Sequence, residues 1–445
     1  MSMARDDEGA EATGAWAHGL LLELFPICRS LAGPGNRRTL DMLARHVAME
    51  RIEIASGTPV FDWTVPDEWH PVGGRLVGQD GRVWADFARN NLHVVNCSSP
   101  VNVELALEDL QPHLYSLPDQ PGAIPYVTTY FKRTWGFCLA HAERMRMPPG
   151  RYRAMIDARL VPGSLSIGEA VLPGEVEDEV LVSTYICHPS MANDNLSGVV
   201  AAAALYRWLA ARPRLFTYRF VFLPETIGSI AWLARDPEGI RRRTAAGFVL
   251  SCVGDGGAFT YKRSRRGDTL IDRVVTHELG KDARIMDFTP VTGSDERQYC
   301  SPGFDLPVGL LSRTYPGRFP QYHTSDDTPD FVTPATLART FEGLFAIVKA
   351  LDACALRYVR VDPHCEPMLS KRGLYNSTSI RKSVGFDRDA DPRTALMWVL
   401  NLCDGKHDMI DVARRSGLPI ARLAEAAERA RSAGVLRAEP AGVER

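Results

Sequence analysis

The sequence predicts an α/β protein: a mostly parallel sheet with helices on both faces, interrupted by a small β-rich module and followed by a winged-helix tail. Three observations predict it. From about Gly168 onward, short apolar runs alternate with helical periodicity, the pattern of parallel strands joined by crossover helices. Between about 57 and 155 the texture is short strands and turn residues instead. Beyond Pro363, a charged linker leads into three short helical patterns and a strand-like end.

Two helical stretches, AWAHGLLLELFPICRSL and NRRTLDMLARHVAM, open the chain and are parted by Gly33-Pro34-Gly35. They have no sheet of their own, so they are expected to pack on the later one. Residues 1–56 and 156–362 then form one domain, and 57–155 is an insertion. The insertion reads RLVG, RVWADF, LHVVNC, IPYVTTYF and RYRAMID, and Asp80-Gly81 between two runs is a tight-hairpin dipeptide. Next come strand EVLVSTYIC, helix LSGVVAAAALYRWLAA, strand YRFVFLPE, helix TIGSIAWLA, strand GFVLSCVG, helix LIDRVVTHELG, strand LPVGLLSR and the closing helix TPATLARTFEGLFAIVKALDA. In residues 385–445, RTALMWVLNLCDG, DMIDVARRSG, PIARLAEAAERARSAG and VLRAE give the winged-helix layout, with a glycine turn between the second and third helices.

Composition narrows the function classes. The chain has 445 residues, and 52 basic against 54 acidic residues leave a net charge of −2. No global field therefore draws it to nucleic acid or a membrane surface. No apolar run reaches the roughly 18 residues of a membrane span. The N-terminus has no basic flank leading into an apolar segment, and the nine cysteines are scattered singly without a CxxC. A cytoplasmic protein with free thiols is expected, and a homo-oligomer is allowed. A GxSxG elbow, a P-loop, a GxGxxG after a strand and an HExxH are all missing.

The chemistry-bearing residues sit at the carboxyl ends of expected strands, where open α/β sheets gather ligands. His188 and Asp194 lie on one strand-to-helix loop and can converge on a cation; otherwise Asp194 or Asn195 caps the following helix. Glu225 ends the next strand and could be a metal ligand, a general base, or an acid favoured by the helix dipole. Gly293-Ser-Asp295-Glu296-Arg297-Gln298-Tyr299 is a polar cluster or a solvated loop. Tyr322-His323-Thr-Ser-Asp326-Asp327-Thr-Pro-Asp330 offers a distant third ligand with carboxylates to orient it or to cap the closing helix.

As an ordered set, Asn193-Asp194-Asn195-Leu-Ser-Gly198, Pro-Glu225-Thr-Ile-Gly-Ser229, Gly-Ser-Asp295 and Tyr-His323-Thr-Ser-Asp326-Asp327 resemble the zinc-dependent leucyl aminopeptidase and glutaminyl cyclase superfamily. FDWTVPDEWHP, NNLHVVN, AIPYVTTYF, WGFCLAH, YICHPSMANDNLSG and YKRSRRG are similar to a bacterial aminopeptidase-like group with an inserted β domain and a C-terminal winged helix. The resemblance implies zinc held by His188, Asp194 and His323, with Glu225 as general base. Two acidic ligands of the superfamily are replaced by Thr226 and Ser251, which points to one metal rather than two; Asp255 is a candidate replacement ligand if its loop turns back. Tyr322 or Arg297 could stabilise an oxyanion, Asp295 or Glu296 could bind a substrate ammonium, and the Lys262–Arg266 run could hold a carboxylate or be a solvated hairpin. Glu225 as a zinc ligand remains open.

The expected activity is hydrolysis of an amide bond in a small peptide or amide substrate, aminopeptidase-type first. The alternatives are an amidohydrolase or deacylase of a non-peptide biosynthetic intermediate, a regulator whose tail binds DNA or protein, and a degenerate enzyme. Glu425 and Glu428 among the arginines of the third tail helix argue against a DNA reader.

Overall fold

A computed structural model describes residues 3–374 and 391–441. Most of the expected linker after Pro363, and residues 385–390 and 442–445 of the expected tail, lie outside them. The α/β class is present. An eight-stranded sheet runs in the order Glu50–Ala55, Ser164–Leu172, Thr217–Leu223, Glu179–Tyr185, Thr244–Leu250, Val308–Ser312, Thr260–Lys262, Arg284–Met286. The third to sixth strands are parallel, and antiparallel partners extend the sheet at both edges.

Side chains alternate across the central strands, so each strand serves two cores. Val180, Val182, Phe220, Phe222, Phe248 and Leu250 face a core shared with Gly198–Ala210, Leu270–Leu279, Pro334–Ala353 and the N-terminal helix Met3–Leu24. Leu181, Val221, Leu223 and Val249 face the opposite core with Ile227–Leu233 and Tyr299. Burial on both faces explains why these strands read as unbroken apolar runs. The N-terminal helix packs against the closing helix Pro334–Ala353. Gly14 makes that approach possible, since a Cβ there would lie 2.4 Å from the Pro334 carbonyl oxygen.

The small module is an antiparallel sheet ordered Val83–Asp86, Glu68–Gly78, Arg151–Val161, Val101–Ala106, with its own core around Trp69, Leu76, Phe137 and Tyr152. The chain turns at Asp80-Gly81, where Gly81 takes a φ of +80°. The boundary expected at 155/156 falls inside the strand Arg151–Val161; its alternation continues unbroken to the Pro162-Gly163 turn. The strand Glu50–Ala55 edges the main sheet and was not anticipated.

The tail holds helices Pro392–Leu402, Met409–Ser416 and Ile420–Ser432 and strand Leu436–Pro440. That strand pairs antiparallel with Leu356–Arg360, so the tail starts near Leu356 rather than after 385, and the main α/β domain ends before 362. Its third helix packs on the closing helix, and Arg273 pairs with Asp408 and Asp411 of the tail at 2.8 and 3.0 Å. No described helix is long and apolar enough to cross a membrane. All nine cysteines are free.

Candidate metal centre

The parallel strands deliver their carboxyl ends to one edge. Glu179–Tyr185 leads to His188 and Asp194, Thr217–Leu223 to Glu225, and Thr244–Leu250 to Ser251. Backbone strain concentrates on the same loops. Ser190, Thr226, Cys252 and His323 all carry a positive φ, between +37° and +64°. For a β-branched residue such as Thr226 this is a costly conformation, and such outliers gather at functional sites.

His188, Asp194 and His323 come together. Asp194 is fully buried; its Oδ1 lies 3.2 Å from His188 Nδ1, and its Oδ2 lies 2.9 Å from His323 Nε2. Asp194 Oδ2 and His323 Nε2 are nevertheless buried without a hydrogen-bonded partner. Each of the three residues offers one ligand atom, and these lie within 4.8 Å of one another. Two imidazoles, a carboxylate and orphaned polar atoms between them fit zinc. Burial pushes His188 toward its neutral form, but the Asp194 carboxylate, Cys187 and Tyr126 together outweigh this and hold its pKa well above the ordinary value. Burial would likewise raise Asp194; the two imidazoles reverse that and depress it.

The surrounding groups leave Asp194 little freedom. The Tyr185 hydroxyl donates to Asp194 Oδ1 at 2.5 Å and bonds Ser251 Oγ at 2.8 Å. Backbone N–H groups of Asn193 and Asp194 donate to the Asp327 carboxylate at 2.6 and 2.8 Å. Arg29, buried beneath the loop, donates to the His188 carbonyl at 2.8 Å.

Glu225 is a quarter exposed, with Oε2 3.5 Å from His188 Nε2 and Oε1 accepting the Ser294 hydroxyl at 2.6 Å. Cys187, His188 and Glu225 form a second close group, in which Cys187 Sγ accepts the Glu225 N–H. Tyr322 stacks on His323 with ring centroids 4.0 Å apart, and burial with the nearby Asp194 raises its pKa, so the hydroxyl stays a donor.

Other expected site residues are placed elsewhere. Asp295 is fully buried; its Oδ1 accepts the Thr226 N–H and the Ser229 hydroxyl, which holds the strained Glu225 loop. Burial and the Glu225 charge raise its pKa to about 8. Glu296 is fully buried in an ion pair with Lys262 at 2.7 Å. Neither carboxylate can meet a substrate ammonium. Arg297 turns its Nε back onto the Ser294 carbonyl. Asp255 does not join the ligands: Asn193 Nδ2, the Gly257 N–H and Thr314 occupy its oxygens. Arg263 and Arg265 pair with Asp287 and Asp305, so the basic run is neutralised locally.

Tyr126, Tyr185 and Arg29 carry no signal in the sequence, and Ser294 is marked there only as part of the Gly-Ser-Asp run, without a role. Tyr126 comes from the insertion: its N–H donates to the His323 carbonyl at 2.7 Å, and its ring lies 5.2 Å from both His188 and His323. The inserted module therefore walls the site.

This sheet, with His, Asp and His converging at its carboxyl edge, defines a protein of the zinc-aminopeptidase fold class. Over 78% of the chain it is similar to a zinc aminopeptidase from Bacillus subtilis (TM-score 0.55, 13% identity, 95% of that chain). The chain belongs to the family described as a domain of unknown function, DUF4910, which matches residues 18–354; residues 356–438 match a winged helix-turn-helix family. A Clostridium acetobutylicum relative named as a polysaccharide biosynthesis protein with aminopeptidase-like domain is 40% identical over 95% of this chain and 96% of its own. A crystal structure from Clostridium acetobutylicum described as a peptidase aligns at TM-score 0.89 and 38% identity, covering 98% of this chain and 99% of that one.

Proposed function

We propose that the chain is a metal-dependent amide hydrolase, with zinc held by His188, Asp194 and His323 and Glu225 as general base. The observation that carries this is the pair of orphaned buried atoms, Asp194 Oδ2 and His323 Nε2, facing each other 2.9 Å apart. When bound, zinc supplies polarisation of the scissile carbonyl and acidification of water. Glu225, fixed by Ser294, accepts a proton from the attacking water and returns it to the departing amine. Tyr322 donates its hydroxyl hydrogen to the oxyanion.

An aminopeptidase also needs an acceptor for the substrate ammonium, and the two acids expected to serve, Asp295 and Glu296, are sealed in the interior. That favours an amide without a free α-amine, such as an N-acyl group on a biosynthetic intermediate. The relative's name, which joins polysaccharide biosynthesis to an aminopeptidase-like domain, supports the same substrate class. The tail serves as a docking module on its own catalytic domain, because its third helix is already packed on the closing helix.

The test is a screen of N-acyl and aminoacyl compounds against the zinc-loaded protein, with Glu225→Gln as control. Hydrolysis should fall about 10²–10⁴-fold in that variant while zinc content is unchanged. Protein purified without chelators that binds no metal would sink the proposal.

A further inference from the structure

We propose that Phe61, Trp63 and Phe131 form a subsite at the rim of the candidate metal centre that stacks against a sugar ring of the substrate. The inference rests on the amide-hydrolase reading and names the substrate class more closely. These three aromatic side chains are exposed by 59, 38 and 67%. A contiguous exposed apolar patch rimmed by polar residues marks a binding surface.

A chain of ring contacts links Trp63 and Phe131 to the site. Tyr126, against His188 and His323, shares a hydroxyl–hydroxyl hydrogen bond with Tyr130. The Tyr130 ring meets Phe131 at 6.3 Å, and Phe131 meets Trp63 edge-to-face at 5.5 Å. Phe61, two residues before Trp63, packs edge-to-face on Phe304 at 5.8 Å.

Phe61 carries a second, independent signal. It sits at the turn of the Pro59–Val60/Trp63–Thr64 hairpin with a φ of +54°, where glycine or asparagine would be relaxed. A phenylalanine there is unfavourable for the backbone, and more than half of its surface stays in water although it touches Phe304.

The chemistry around the rings selects the occupant. One face of a pyranose presents polarised C–H groups that fit the negative face of an aromatic ring. Its hydroxyls need planar donors and acceptors alongside. The Asp67–Arg133 pair, joined at 2.6 Å, carries both, and its members follow Trp63 and Phe131 by four and two residues in the chain. Asp62 and Lys132 interrupt the apolar surface further, which suits a hydroxylated ring better than the continuous apolar area a second copy would need.

The experiment titrates the full-length, zinc-loaded protein with N,N′,N″-triacetylchitotriose, followed by tryptophan fluorescence and saturation-transfer NMR. Saturable binding is expected, weakened about tenfold in Trp63→Ala/Phe131→Ala. Phe131→Tyr should bind as wild type, and so should Glu225→Gln. In turnover, the double variant should raise KM for a glycosylated N-acyl substrate and leave kcat/KM for a small N-acyl amino acid unchanged. Absence of saturable binding, or undiminished binding in a folded double variant, overturns the subsite. So does a dimer of the wild type that the double variant dissolves without any sugar binding. Hydrolysis of the small N-acyl compound is read separately, so the hydrolase proposal stands or falls on its own.

Discussion

Asp327→Asn is the sharpest probe of how the loop bearing Asp194 is held. The two oxygens of Asp327 accept the N–H groups of Asn193 and Asp194 at 2.6 and 2.8 Å. Asparagine keeps one acceptor and turns an NH₂ toward the other N–H. Burial raises the Asp327 pKa to about 7, so the hydrogen bond lost lies between the neutral and charged cases, about 0.5–3 kcal/mol, and a buried donor is left facing a donor. The Asp327 carbonyl still accepts the Ala192 N–H, so the two segments stay joined and the damage is confined to the Asp194 approach. A displaced supporting group of this kind typically weakens metal binding about 10–100-fold. Competition against a zinc chelator reads the affinity, and thermal melting of the metal-free protein reads the stability. The reasoning is refuted if Asp327→Asn melts with the wild type and holds zinc within about twofold of it, a difference well under 1 kcal/mol.

Further outcomes follow from the same contacts. His323→Ala should purify with far less than the one zinc per chain expected of the wild type, by metal analysis, because only His188 and Asp194 of the three ligands remain. Glu296→Gln should destabilise by about 3–5 kcal/mol in urea unfolding, since it leaves the fully buried Lys262 ammonium without a counter-charge; Lys262→Met in the same chain should recover part of the loss. Hydrogen bonds from Arg37 depress Glu68 from 4.5 to about 2. Its folded pKa is lowered, so its contribution of up to about 3 kcal/mol is complete above pH 4.5 and disappears as pH falls toward 2. Glu68→Gln should flatten that acid limb in melts recorded across this range, and an unchanged limb would remove Glu68 from the account.

What could be read in the sequence was whatever local pattern dictates. The buried parallel strands announced themselves as apolar runs because both faces are covered, and His188, Glu225 and His323 stood out at strand ends and loop motifs. Three features depended on pairings between distant segments. Glu50–Ala55 joins the main sheet only because Ser164–Leu172 lies beside it, more than a hundred residues later. Leu356–Arg360 belongs to the tail because it meets Leu436–Pro440. Tyr126 reaches the site through its bond to the His323 carbonyl. The acids Asp295 and Glu296 misled for a different reason: residue type and position suggested substrate contact, while burial, invisible in one sequence, made them structural.

The replacement of two acidic ligands is best understood through Asp194. In this chain the Ser251 hydroxyl bonds the Tyr185 hydroxyl, which in turn donates to Asp194 Oδ1. The oxygen that could bridge to a second cation is thus occupied by a neutral donor. At the other replaced position, the Thr226 N–H is turned onto Asp295 rather than toward the pocket. Charge points the same way. With Thr226 and Ser251 neutral and Glu225 the proposed base, Asp194 would be the one carboxylate among the three proposed ligands to offset a divalent ion. A single-ion site, as proposed, would keep the water-activating half of the chemistry. It lacks the second cation that could hold a free amine, and Asp295 and Glu296 cannot replace it from the interior. On the hydrolase reading proposed above, the ligand set and the buried acids would suit an amide recognised through the inserted module instead of through an N-terminal ammonium.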